Sequence, residues 1–579
     1  MFRILVLTVF LATVRDWPAQ QPSELMLVNG AVYTVDEKNP WAEAVLVRGN
    51  EIVAVGTTAT IEEAAGKGAQ RIDLKGRLVL PGFIDTHVHL ASAAQFHEFN
   101  LMRTATQDEF VRRVSELVKT LPDGEWVTGG LWGAYDQWDS GSSGGTARKE
   151  PFAPDMEMIE AVTPNHPVWI SRFDGSEYAA NRLALAKAGI DPENPAGNDG
   201  IEFIRDASNR FTGRMRGAGV RRAFNQVVPR EFSYERRTRQ TLHALEMAAS
   251  HGVTTVSDMS DDMQLTLYRD LRRQGKLDVR IDFRYTLDRW EEVSALGIRT
   301  GSGDDWIRLG GLKGFIDGIM GTSAARFFEP YSHQPDNRGS WREMMKNKQG
   351  DVDPEYFYAF MKGADRAGLQ ITVHAIGDEA NHLLLDFVER LEKDNGNRDR
   401  RFRLVHAQVV APPDFSRIGQ LGIIAEVQPF HLSDDMRWME ERIGSERCKN
   451  AYAFRSIQES GARLCFGSDW PGTSAAEYPI NPMLALYAAV TRQTVNGTPA
   501  EGWFPDQRIS LETAIRCHTL DAAYALFEER FRGSIEPGKL ADLVVMSDNL
   551  FEIEPSELLT AHPVATIVDG KIVYRKDGF

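Results

Sequence analysis

Residues 81–90 read PGFIDTHVHL, an apolar run that ends in two histidines one residue apart. Side chains on an extended strand alternate between faces, so Asp85, His87 and His89 project together while Thr86 and Val88 face the other way. The run therefore reads as a strand that offers two imidazoles to one point. Taken alone, such a pair fits packing better than chemistry.

Other strand-like runs change that balance. They are VTTVSDM from Val253, VRIDFRYT from Val279, IRLGGLKGFID from Ile307, LQITVHAI from Leu369, RFRLVHAQ from Arg401, GIIAEVQP from Gly422 and RLCFGSDW from Arg463. Between them lie segments of helical period, such as YFYAFMKGADRAG from Tyr356 and ANHLLLDFVERLEKD from Ala380. Alternating strands and helices argue for an α/β chain with parallel strands, and eight such units predict a (β/α)8 barrel of the TIM type. The C-terminal strand ends of such a barrel share one rim, where active sites are built.

His374 closes the fifth run, His406 the sixth and Asp469 the eighth. Four histidines and a carboxylate meeting at one rim suit a divalent cation, zinc first, as one or two ions per chain. The fourth run ends in Lys313, whose ammonium would be repelled by such a centre. Either Lys313 points elsewhere or it is neutralised, and capture of carbon dioxide as a carbamate would turn it into a two-oxygen ligand. In VQPFHLSDD, Gln428 and His431 are candidates to line the mouth and contact substrate. Asp317 could orient a ligand or cap a turn, and Asp85 could accept from a ligand histidine or pair within the barrel.

The rest of the chain frames this core. Residues 1–21 read as a signal peptide, because the apolar run from Ile4 to Val14 is too short to span a bilayer; export to the periplasm or beyond is expected, with the cytoplasm as alternative. Hairpin signals at Asn29-Gly30, Gly49-Asn50 and Asp569-Gly570 predict a β-sandwich assembled from residues 22–80 and 534–579. The barrel then occupies 81–533. About 160 residues separate its first two strands, so an inserted subdomain is expected at about 95–245. Within it, TGGLWGAYDQWDSGSSGG reads as a long loop over the barrel mouth that brings Trp132 to an apolar or aromatic substrate.

Composition narrows the partners. With 66 Lys and Arg against 82 Asp and Glu, the net charge of −16 repels phosphate backbones and anionic membranes. A small-molecule substrate is expected, with no nucleic acid and no stable membrane span, and a homodimer is left open. Cys448, Cys465 and Cys517 are too few for a disulfide framework or a CxxC zinc site, so imidazole and carboxylate carry any metal.

These motifs in this order resemble the amidohydrolase superfamily, in the family 3 branch that includes N-substituted formamide deformylases. PGFIDTHVHL resembles its first-strand motif, KGFIDG its lysine strand, HAIGDEA and VHAQVV its fifth- and sixth-strand histidines, and FGSDWP its eighth-strand aspartate. GSIEPGKLADLVV resembles the return to the terminal sandwich, so the likeness runs over nearly the whole chain. It implies metal ligation by His87, His89, carboxylated Lys313, His374, His406 and Asp469, with Asp469 also the catalytic proton shuttle. The implied reaction is attack of a metal-activated hydroxide on a non-peptide C–N bond, of the amide or N-substituted formamide type. Lactone or phosphoester hydrolysis by the same nucleophile is the alternative, and a catalytically silent metal-bearing binding protein is another. Two positions depart from the branch: Ser176 stands where it commonly has histidine, and Val405 where it commonly has glutamate before the sixth-strand histidine. Neither is an expected ligand, but Ser176 bears on substrate binding.

Overall fold

The computed structural model describes residues 24–102, 104–133, 152–173, 175–195, 200–473 and 476–579. The expected signal peptide lies outside them. Among the described residues no helix is long and apolar enough to cross a membrane.

Eight parallel strands form the centre: β1 (Phe83–Val88), β2 (Val253–Met259), β3 (Arg280–Thr286), β4 (Ile307–Phe315), β5 (Ile371–Ala375), β6 (Arg403–His406), β7 (Ile424–Val427) and β8 (Arg463–Phe466). Each is hydrogen-bonded to its neighbour in chain order. All eight strand-like runs are strands. The ring closes where β8 returns to β1: Val88 bridges Trp470 in parallel, Thr86 Oγ1 donates to Phe466 O at 2.8 Å, and Asp469 N donates to His87 O at 2.8 Å. Gly467 permits this approach, since a Cβ there would come within 2.6 Å of His87 Cβ. Strands are buried on both faces, as in a barrel wrapped by helices.

Strands from both chain ends build two further sheets. One joins Glu24–Val28, Ala44–Arg48, Glu51–Gly56 and Gln70–Asp73; the other joins Ala31–Tyr33, Trp41–Ala42 and Leu78–Pro81 to Leu543–Met546, Pro563–Val568 and Lys571–Arg575. Leu27, Val45 and Ile72 pack against Leu543, Val545 and Ile567 in one apolar cluster. This unit is tied to the barrel by Arg280 of β3, which donates to both carboxylate oxygens of Asp542 (2.7 and 2.9 Å) with both side chains buried.

Between β1 and β2 lies a five-stranded sheet, in spatial order Glu202–Arg205, Phe211–Arg216, Tyr178–Ala180, Val168–Arg172 and Val127–Trp132. The start of the expected mouth loop is therefore a strand. Gly129 and Gly130 allow it, because their φ of 89° and 80° lets the strand bulge against Val168–Arg172. Trp132 is 2 % exposed and packs with Phe99, Phe110 and Ile170 in the insert's own core. The remainder of the expected loop, from Ala134, lies outside the described residues. Helix Tyr234–Ser250 belongs to the barrel: its Ala244, Leu245 and Ala248 share the main core with Ala93 and Ala94, and its Arg236 pairs with Glu98 at 2.7 Å.

Candidate metal centre

The closing strands carry three of the expected site residues into contact. Asp469 Oδ1 lies 3.3 Å from His87 Nε2 and 3.1 Å from His89 Nε2. Parity explains the histidines, and the seam explains Asp469: its φ of 59° turns the chain just past β8 toward β1. A left-handed conformation at a non-glycine costs about 1–3 kcal/mol and persists where surrounding bonds over-determine it. The hydrogen bond to His87 O supplies that restraint.

The two other histidines face them across the rim. The rings of His374 and His406 are 4.5 Å apart, and those of His87 and His406 5.3 Å. Donor atoms of His87, His406 and Asp469 lie within 4.8 Å of one another, a spacing that can hold a metal ion.

Two of the rings have one nitrogen engaged from behind. His87 Nδ1 meets Glu426 Oε1 at 2.6 Å and His406 Nδ1 meets Gln428 Oε1 at 2.7 Å, while His374 Nε2 lies 3.4 Å from Asp317 Oδ1 without a hydrogen bond. A back-side acceptor fixes a ring's orientation and tautomer, leaving the other nitrogen for the centre. Gln428 thus stands behind His406, 1 % exposed, and does not reach the mouth as its sequence position suggested. Asp317 is held by the backbone N–H groups of Arg326, Ile376 and Gly377. Asp85 accepts from the backbone N–H of His87 and Ser468, a link across the seam.

Glu426 is the residue that sequence reasoning missed. It is fully buried on β7, with Arg403 at 2.5 Å and Arg284 at 3.4 Å. Burial opposes its charge, but the two guanidinium groups hold its carboxyl well below the usual carboxylate range. The signal was a lone acid inside the apolar run IIAEV, two positions before Gln428 and so on the same face of the strand.

Lys313 lies at the base of this group, fully buried, with Nζ lacking any hydrogen-bond partner. Burial and the nearby Arg284 push its amine well below the ordinary lysine value. Burial likewise pushes His87 down to about 4 and His406 well below its usual range. Burial works against ionisation of Asp469, but the neighbouring His87 and His89 hold its carboxyl well below the usual carboxylate range. Neutral imidazoles, a carboxylate and an unsatisfied buried amine form a donor set that fits a divalent cation.

The rim opens into a cavity of about 330 Å³, walled by Phe315, Ile319, Met320, Trp438 and Tyr478 and also lined by His87, His89, His374, His406 and Asp469. His431 lines it too, stacked on Tyr478 at 3.8 Å. Neither Trp132 nor Ser176 is among its lining residues; Ser176 is exposed on the insert, just before Tyr178–Ala180.

Comparison with known proteins places this arrangement. The sequence profile of the amidohydrolase family matches residues 70–574. Protein LONG AFTER FAR-RED 3 of Arabidopsis thaliana is 36% identical over 577 residues, spanning 96% of this chain and 92% of its own. The N-substituted formamide deformylase of Arthrobacter pascens is 28% identical over 583 residues, spanning 96% and 99%. In fold, an uncharacterized metal-dependent hydrolase from Pyrococcus horikoshii OT3 superposes with a TM-score of 0.72 at 23% identity, over 92% of this chain and 99% of that one. The profile match takes in every barrel strand, and the chain belongs to the amidohydrolase family.

Proposed function

We propose that the protein hydrolyses a non-peptide carbon–nitrogen bond, of the amide or N-substituted formamide type, at a divalent metal centre. Family membership makes it a hydrolase, and His87, His406 and Asp469 form a metal-ligand group. The observation that carries the finer reading is the meeting of Asp469 Oδ1 with His87 and His89 beside His374, His406 and the buried Lys313, whose Nζ has no hydrogen-bond partner.

His87, His89, His374, His406, Asp469 and Lys313 would hold the cation, and zinc suits this set best, as one ion or two. When bound, it supplies Lewis acidity that readies water for attack near neutral pH and polarises the substrate carbonyl. Lys313 reaches its ligand form by chemistry an uncharged amine allows: Nζ adds to the carbon of CO2, loses a proton, and becomes a carbamate with two oxygens. Asp469, ionised and at the cavity wall, accepts the proton of the attacking water and returns it to the leaving nitrogen as the C–N bond breaks. His431 and the aromatic wall of Trp438 and Tyr478 exclude water and orient an apolar substituent.

Metal analysis of the purified protein, electron density at Lys313 Nζ and matched amide, lactone and phosphotriester substrates test the reading together. Bound divalent metal with amide cleavage is expected. Cleavage of lactone or phosphotriester with amides untouched, or full metal occupancy without turnover, would overturn it.

A further inference from the structure

Helix Pro429–Asp435 leaves the C-terminal end of β7 and brings two polar side chains to the cavity, His431 and Asp435. Four residues apart, they share one face of the helix, and a rise of about 1.5 Å per residue sets Asp435 about 6 Å along from His431. His431 is the one beside the metal-ligand group, with Nε2 4.0 Å from Asp469 Oδ2. Asp435 is placed to meet the part of a substrate one helical turn away from the reacting carbonyl.

Asp435 is 4 % exposed, and only one of its two oxygens is engaged. Tyr452, itself buried, donates its hydroxyl to Oδ2 at 2.6 Å. Tyr452 is fixed in turn, because its N donates to Gln408 O at 2.7 Å and its O accepts from Arg492 Nη1 at 2.7 Å. Oδ1 accepts no hydrogen bond among the described residues and yet is not sealed from solvent; the space it meets is the cavity that Asp435 lines. No Lys or Arg among the described residues forms an ion pair with Asp435. Arg442, whose charge reaches it, directs Nη1 to the carbonyls of Met320 and Gly321, at 2.7 and 2.6 Å. Burial prevails over these influences and pushes the carboxyl up to about 7. Buried charges are ordinarily paired, and this one opens onto a space where a ligand can supply the partner.

We propose that Asp435 is a specificity-determining residue whose Oδ1 pairs with a protonated amine at the far end of the substrate, so that the cavity selects amides whose substituent has an apolar stem and a cationic tip. The inference rests on the proposed function and sharpens its substrate class. The stem lies along Trp438 and Tyr478, which wall the same cavity, while the scissile carbonyl stays beside Asp469. A neutral tip leaves the carboxylate without a counter-charge, and an acidic tip is repelled by it. The net charge of −16 favours the approach of a cation from solution.

The test pairs N-(5-aminopentyl)formamide with N-hexylformamide, which are equal in length and differ in a terminal ammonium against a methyl, and compares wild type with Asp435→Asn. Asparagine keeps the shape of the side chain and an acceptor for the Tyr452 hydroxyl while removing the charge. Wild type should favour the amine by about 10- to 100-fold in kcat/KM, the scale of a hydrogen bond to a charged group, and the variant should bring that ratio to within about threefold of unity. A wild-type ratio at or below unity overturns the inference without recourse to any variant and leaves the proposed function standing. A preference that Asp435→Asn retains in full overturns it as well. If neither compound is cleaved, calorimetry of their binding to the same two proteins reads the site. Tighter binding of the amine that the variant loses then upholds Asp435 while the proposed function falls, and equal binding of the two compounds defeats both.

Discussion

Glu426 on β7 holds Oε1 2.6 Å from Nδ1 of His87 on β1, across the interior of the barrel. The contact joins a metal-ligand candidate to a layer of charge made of Glu426, Arg284 and Arg403. The Glu426 carboxylate pairs with both guanidinium groups and orients the ring, so stability and metal affinity are coupled through it.

Glu426→Ala leaves Arg284 buried without its carboxylate and Arg403 with only the more distant Asp282 at 4.0 Å, and should cost about 3–5 kcal/mol in denaturant unfolding. Glu426→Gln keeps the volume and weakens the hold on the His87 ring. Metal titration of that variant should show affinity reduced by about 10- to 100-fold; affinity equal to wild type would separate Glu426 from the centre.

Asp469→Asn retains an oxygen toward His87 and His89 but no longer accepts a proton. Turnover should fall by about 10²- to 10⁴-fold while the variant still folds and binds metal. Stopped assays with metal analysis on the same sample decide this, and near-normal turnover would remove the proton shuttle.

Lys313→Met is expected to act with opposite signs in the two states of the protein. In chelator-treated protein it removes a buried amine without a hydrogen-bond partner, so the melting temperature should rise or stay level. In metal-loaded protein it removes a ligand, so bound metal and the stabilisation linked to it should fall. Melting curves with and without chelator give both signs in one experiment.

Asp542 links pH to the attachment of the terminal sheets. Burial opposes its ionisation, but Arg280 holds its carboxyl below the usual 3.8. A carboxylate with a depressed folded value contributes stability in full above its unfolded value and loses it as pH falls through the folded one. Wild type should therefore keep this contribution from neutral pH down to about 4 and lose it below. Asp542→Asn should be less stable across the upper range, with the difference between the two curves closing in acid. A difference that stays constant to pH 3 would show that the Arg280 pair is not the source.

The barrel was legible because each of its strands is a short apolar run and several end in a polar residue that packing alone does not explain. His87, His89, His374, His406 and Asp469 could be aligned on one rim by strand order alone. What lies behind them was harder to read, because Glu426 and Gln428 act through partners on β1 and β6 and nothing local to β7 names those partners. Trp132 misled for a related reason: a tryptophan among glycines reads as a loop anchor, and only the pairing of Val127–Trp132 with Val168–Arg172 shows that it faces a core.

The seam between β1 and β8 has a consequence for how the protein comes to maturity. Thr86 and Phe466, bonded across it, are 380 residues apart in sequence. Local contacts form early and pairings of such separation form late. His87 and His89 meet Asp469 across this seam, so their meeting is expected late in folding. A chain that stalls short of ring closure holds its imidazoles and its aspartate in separate places and cannot chelate tightly. Uptake of the cation would then mark the finished barrel, and a cell that supplies metal scarcely would favour correctly closed copies over arrested ones.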